Sequence, residues 1–563
     1  MTRNSRRDFL KTASSAVLLP QMLARATELR CDVAVIGGGT GGFAAALAAL
    51  RHGMRVVLTE ETDWIGGQLT AQAVPPDEHP WIEEFGCTRS YRAYRTAVRR
   101  YYREHYPLTE TARANPRLNP GNGAVSRLTH EFRVSVAVLE SLLLPYLGNG
   151  QLRLLLNHVP QSATVDRDRV TSVSMLDLQE GIKRTIVADF FLDATELGDL
   201  LPLTNTEFVT GAESQAQTGE LHAPAIAQPQ NSQSYTYCFA IDYVPGEDHT
   251  IEQPEEYRFW RDYIPKLTPP WTGPLLSWSA CDPRTLSKRN MFFDPREETT
   301  RQAGLNLWIY RRIADRSNFL PGAYRSSITL VNWPQNDCWL GDLVSASPDQ
   351  KQRYLARAKQ LSLSLLYWMQ TEAPRPDGGT GWKGLRLRKE IVGTEDGLAK
   401  TVYVRESRRI QAEFTILEQH VGAEMRMKET GRSLHEVSAE NFPDTVGIGC
   451  YRIDLHPSAG GTNYIDISAL PFQIPLGALI PVRMENLLPA CKNIGTTHIT
   501  NGCYRLHPVE WNIGEAAGAL AAYAHATRQS PRAIRNHVSQ LEQFQSRLLA
   551  DGFELSWPRL HPV

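Results

Sequence analysis

The sequence predicts an α/β protein: a parallel, Rossmann-like sheet assembled from separated stretches of chain, with an α+β unit inserted between them. Three observations carry this. Residues 31 to 60, CDVAVIGGGTGGFAAALAALRHGMRVVLTE, read as strand, glycine turn, helix and strand ending on an acid. A second apolar strand, followed by an acidic turn, recurs at ADFFLDATELGD from Ala188. At 563 residues the chain is too long for one simple core.

Each element of the first unit has a physical reason. Asp32 to Ile36 is a short β-branched run, as expected for a parallel strand covered on both faces. Gly37, Gly39 and Gly42 form G-x-G-x-x-G, which permits a tight turn, a backbone close to a pyrophosphate, and close helix-on-strand packing. Phe43 to His52 is alanine-rich and continues as a helix, whose N-terminus favours an anion; Gly53 ends it. Arg55 to Leu58 forms the next strand and delivers Glu60 to ribose hydroxyls, where an acid repels a 2′-phosphate and so disfavours NADP.

Directly after Glu60 comes ETDWIGGQLT, with Gly66, Gly67 and Gln68. The C-terminal block reads ENLLPACKNIGTTHITNGCYRLHPVEWNIGEAAGALAAYA from Glu485, and ADFFLDATELGD supplies Asp193, Gly198 and Asp199. Together these segments resemble the FAD-dependent oxidoreductase family within the two-dinucleotide-binding (glutathione-reductase-like) flavoprotein superfamily. NWPQND (Asn332 to Asp337), VYVRESRRI (Val402 to Ile410), VGIGCYRIDLHPS (Val446 to Ser458) and PFQIPLGALIP (Pro471 to Pro481) extend the resemblance. It implies FAD as cofactor, with Gly495 in the C-terminal block. It also implies a helix N-terminus near Gly514, Glu515, Ala516 and Ala517, set against the pyrimidine edge of the flavin, where the dipole would stabilise the reduced anion.

The domains follow. Residues 30–75, 129–203 and 487–525 form the FAD-binding domain, with a small antiparallel excursion over 151–187. Residues 76–128 and 204–486 form the substrate domain, rich in Trp, Tyr and Pro and carrying a helix over 350–371. The tail, 526–563, includes an amphipathic helix from Pro531 to Leu549. Gly447-Ile448-Gly449 reads as a turn, so there is no second nucleotide fingerprint and no reductase-type NAD(P)H site is expected. Electrons should come from a small organic substrate and leave to oxygen, a quinone or a redox partner.

The start, MTRNSRRDFLKTASSAVLLPQMLARA, places Arg6-Arg7 before an apolar stretch and a small-x-small site at Ala24 and Ala26, over residues 1–26. This is the pattern of a twin-arginine signal read by the Tat export machinery, so a periplasmic or secreted protein is expected. No other stretch reaches about 18 unbroken apolar residues, hence no stable membrane span is expected. A net charge of −1 argues against nucleic acid as a partner. Eight scattered cysteines contain no C-x-x-C pair, which argues against a redox-active disulfide, and no metal site is expected.

Oxidation of an alcohol or amine needs a base for the X–H proton and cations to hold a polar substrate. His456, His498 and His507 are the candidate bases, with Arg505 beside the last two; Arg405 and Arg409 offer either a carboxylate clamp or ion pairs with Glu406. A fumarate-reductase-like enzyme and a non-catalytic flavin-binding protein are the alternatives.

Overall fold

The computed structural model describes residues 27–296, 304–558 and 560. The twin-arginine pattern lies outside the described residues. The central sheet is built as the first unit predicts. Strands β1 (Thr27–Ile36), β2 (Val56–Glu60) and β3 (Leu152–Leu156) lie parallel, with Val35 opposite Leu58 and Leu58 opposite Leu154. Antiparallel strands β4 (His158–Asp166) and β5 (Arg169–Asp177) lead into β6 (Lys183–Asp193). The long strand β6 is shared. It runs parallel beside β1, with Val33 opposite Phe190; on its other edge, its first half pairs with β5 and its last residues with β7 (Leu487–Pro489). A strand from the far C-terminal region thus completes a sheet begun near the N-terminus.

Helix α1 (Thr40–Arg51) follows the glycine turn, and α2 (Phe132–Gly148) packs on the same layer. At Gly37 the backbone has φ +103°, and a Cβ there would stand 2.2 Å from the Ala194 carbonyl oxygen, so only glycine makes this turn. Two helices close the chain's return: α3 (His498–Tyr504), capped by Thr497, and α4 (His507–Thr527), which lies against α1.

Three sequence expectations are corrected. Helix α4 begins at His507, so Gly514 to Ala517 sit in its interior and offer no free N–H groups. Pro508 in the first turn sets that start, because its missing N–H costs nothing there. Thr445–Gly449 is a strand paired with Phe472–Pro475, and its glycines answer close packing: a Cβ at Gly447 would meet the Asn512 amide, and one at Gly449 the Phe472 ring. The tail breaks at His537 into helices Pro531–Asn536 and Val538–Asp551.

There are two main cores. One joins the sheet and α1, α2 and α4 with much of the chain between 416 and 480. The helix Arg89–His105 joins this core: Tyr91 and Tyr94 pack on Trp511 of α4 with ring centroids 5.4 and 5.5 Å away. The second core lies between Tyr235 and Val404, joined by Leu197 and Tyr464, and contains helix Pro348–Thr371. A four-stranded antiparallel sheet spans both cores: Arg312–Ala314, Ile328–Val331, Phe239–Tyr243 and Leu385–Leu387. Among the described residues no helix is long and apolar enough to cross a membrane.

Candidate functional site

Two cavities lie on either side of one short strand. The strand Tyr403–Val404 sends successive side chains to opposite faces. Val402 and Val404 line one cavity; Tyr403 and Arg405 line the other.

The first cavity, of about 560 Å³, runs along the glycine turn and is lined by Gly37, Gly39, Glu60, Gly67, Gln72 and Asp199, among others. Glu60 lies at its floor: Oε2 accepts from Gly38 N at 3.0 Å, and Oε1 accepts from Thr62 N and Oγ1. Burial pushes its pKa up to about 8, helped by Glu61 and opposed by the Thr62 hydrogen bonds. Gln72, which lines this cavity, is fully buried with both amide atoms unpartnered. A buried amide left open along a glycine-lined trough fits a dinucleotide that would hydrogen-bond to it.

The other residues expected at the cofactor hold up this trough or lie away from it. Gly42 packs on the Gly37 carbonyl, and Gly66 turns the chain against Leu139 and Thr70. Gln68 donates from Nε2 to the Arg505 carbonyl and to Glu510, tying the trough to α4. Asp193 accepts from Thr195 N and Oγ1 and from Leu200 N, fixing the loop that carries Gly198 under Arg408. Burial pushes the Asp193 carboxyl up to about 7. Gly495 is pressed between Ala412 and the Phe414 carbonyl. Gly514 packs on Gly41, Glu515 bonds Ser90 and pairs with Arg51, and Ala516 is core.

The second cavity, of about 540 Å³, is polar. Arg505 and Leu506, at the N-terminus of α4, line it with Asp77, Arg311, Arg405, Asp454 and His456. The His456 Nδ1 lies 2.6 Å from Asp337 Oδ2. Asp337 accepts at Oδ1 from Arg405 Nη2 (2.9 Å) and Thr236 Oγ1 (2.6 Å). Burial raises the Asp337 carboxyl, but Arg405 and His456 outweigh it and hold it below the usual carboxylate range. An ionised Asp337 can only accept, so His456 Nδ1 donates to it. Nε2 lies 3.5 Å from Asp454 Oδ2. Burial opposes ionisation of Asp454 too, yet His456 and then Arg505 hold it well below normal.

The remaining candidates are placed elsewhere. His507 is fully buried, and its Nδ1 accepts from Asp77 N at 3.0 Å. Burial and then Arg311 push it down to about 3, leaving a neutral ring and a poor base. His498 bonds Glu406 at 2.9 Å, and Arg409 pairs with Glu406 and Glu213, so these four side chains form a network lining neither cavity. Asp337, Asp77, Arg311 and Asp454 had no assigned role in the sequence reading. Only Asp454 carries a local signal, standing two residues before His456 in extended chain and hence on the same side. Asp32, Asp189 and His525 bring three potential metal-ligand atoms together, but Arg55 already pairs with Asp32, and His525 with Asp189.

Over residues 32–548 the sequence matches the family described as FAD dependent oxidoreductase. A curated relative, N,N-dimethylglycine/sarcosine dehydrogenase of Chromohalobacter salexigens, is 30% identical over 164 residues, 29% of this chain and 20% of that protein. The match therefore spans about a fifth of the relative's length. Among solved structures, E. coli quinol fumarate reductase is 12% identical with a TM-score of 0.32, covering 93% of this chain and 74% of that one. Glycerol-3-phosphate dehydrogenase from Bacillus halodurans, complexed with FAD, is 16% identical with a TM-score of 0.23, covering 38% and 40%. With the family match spanning nearly the whole chain and a glycine-turn trough fitted to a dinucleotide, the chain belongs to the FAD dependent oxidoreductase family.

Proposed function

We propose that the enzyme dehydrogenates a small polar organic molecule held in the second cavity, with His456 accepting the proton from its hydroxyl or amine. One observation carries this reading: His456 lines the cavity with Nδ1 fixed on a buried, ionised Asp337, which orients the ring and leaves Nε2 as its second proton-exchanging position. Asp454 and Asp337 together stabilise the imidazolium that results. Bound FAD supplies the two-electron acceptor. Arg505, anchored on the Tyr403 hydroxyl and the Asp454 carbonyl, holds one wall in place at the start of α4.

Electrons then pass to oxygen, a quinone or a redox partner, and the Arg6-Arg7 pattern supports export of the folded holoenzyme. A reductive reaction on an unsaturated substrate is the second reading, because an imidazolium held by two carboxylates also serves as a proton donor. The test is anaerobic: purified holoenzyme is mixed with sugars, amines and organic acids while the visible flavin band is followed. Bleaching by one class supports dehydrogenation. Reoxidation of dithionite-reduced protein by an unsaturated acid, without any bleaching, supports the reductive reading. Neither response leaves flavin binding without catalysis.

Cofactor affinity should depend on pH through Glu60. Ribose hydroxyls donating to this carboxylate favour its ionised form, so binding lowers its pKa from about 8 and releases a proton. Affinity for FAD is therefore expected to rise with pH up to about 8 and to flatten above it, by up to about tenfold per pH unit on the rising limb. Titrating apoprotein with FAD from pH 6 to 9 checks this. Glu60→Gln should flatten the profile, and an unchanged slope in that variant would assign the proton to another group.

A further inference from the structure

The second cavity is biased toward donors. Five of its lining side chains carry a buried N–H without an acceptor: Arg311 Nε, Asn332 Nδ2, Trp333 Nε1, Arg405 Nε and Arg505 Nε. Among the described residues, no lining side chain has a buried oxygen lacking a donor. Six arginines also face four aspartates around the wall. This balance favours a ligand that brings acceptors and negative charge.

Among the buried arginines of this wall, Arg311 has the least compensation. It is 9% exposed, and its guanidinium makes a single hydrogen bond, from Nη1 to Asp77 Oδ1 at the limiting distance of 3.5 Å. Its Nε is enclosed without a partner, whereas Nη2 makes no bond and is not enclosed, which leaves it to the cavity the side chain lines. Arg405 and Arg505 differ, since each spends both terminal nitrogens on protein acceptors. A buried guanidinium with most donors unspent binds a planar oxyanion well.

We infer that the substrate is a small organic acid whose carboxylate is held by Arg311. The inference rests on reading this cavity as the substrate site. A monoanion suits it better than a phosphate, because Asp77 already stands against the same guanidinium and would repel a second charge.

Holoenzyme is titrated with lactate, succinate, their amides and inorganic phosphate, with tryptophan fluorescence and the flavin band as readouts. At least one acid is expected to saturate, with its amide and phosphate at least about tenfold weaker. Arg311→Gln should weaken acid binding by about 10- to 100-fold, and Arg311→Lys should recover part of it; flavin content and thermal unfolding report whether each variant is folded. If Arg311→Gln does not fold, the wild-type contrast between acid and amide still decides. Amides or phosphate binding as tightly as the acids, undiminished binding in folded Arg311→Gln, or no binding at all would overturn the inference. The titration needs no turnover. A His456 variant with full activity would sink the proton-acceptor reading while leaving the acid-over-amide preference intact.

Discussion

Replacing His456 with Asn should lower kcat by about 10²- to 10⁴-fold while leaving bound flavin in place. The side chain lies in the second cavity, and its nearest polar partners are Asp337 and Asp454 rather than any residue of the glycine turn, so cofactor retention should not depend on it. Asp337→Asn is the sharper variant. An amide at this position can present N–H toward His456 Nδ1, which would then accept and shift the ring proton to Nε2. The base would keep its place but lose its lone pair toward the cavity. A loss in kcat comparable to that of His456→Asn is expected, with a smaller change in KM. One control separates chemistry from folding: His498→Asn, in the network that lines neither cavity, should keep kcat within about threefold if it folds. Flavin reduction by substrate in a stopped-flow instrument measures the step directly. An unchanged reduction rate in His456→Asn would remove the base from this position.

How much of this was legible follows from how far apart the cooperating residues lie. The strand, glycine turn, helix and Glu60 are consecutive, and the packing rules that join them act over a few residues, so the β1–α1–β2 unit can be read directly. The start of α4 was legible but misplaced: the family resemblance put a helix N-terminus near Gly514 to Ala517, whereas Pro508 marks the first turn six residues before Gly514. The GEAAG small residues instead let α4 approach α1. The second cavity lay beyond reach. Asp77, Arg311, Asp337, Arg405 and His456 come from five separate segments, and no periodicity links a loop near residue 77 to a strand end near residue 456. His456 and Arg405 were nameable as residue types suited to the chemistry. Their partners were not, because a partner is defined by contact.

The contact between α1 and α4 gives the second large effect. Gly514→Ala should destabilise the protein by about 3 kcal/mol or more and release flavin, although helix propensity alone predicts a gain of about 1 kcal/mol from the same change. A Cβ at position 514 would stand 1.9 Å from the Gly41 carbonyl oxygen and 2.6 Å from its Cα. These are backbone atoms, which cannot swing aside as a flexible side chain would. One turn on, a Cβ at Gly518 would meet the Ala45 carbonyl at 2.1 Å, so sliding α4 along α1 gives no relief. Gly41 is itself pinned, with a Cβ there falling 1.9 Å from the Ala490 carbonyl. Separating the helices would shift α1 and with it the Gly37 to Gly39 turn that lines the cofactor trough, which is why stability and flavin content should fall together. Gly148→Ala is the matched control. It lies near the end of α2 with nothing within 4 Å of the added carbon, so propensity should prevail there and the variant should be neutral or more stable by up to about 1 kcal/mol. Thermal unfolding and the ratio of visible to ultraviolet absorbance decide the matter. If Gly514→Ala matched the wild type in both, the two helices would have room that their backbone contact denies.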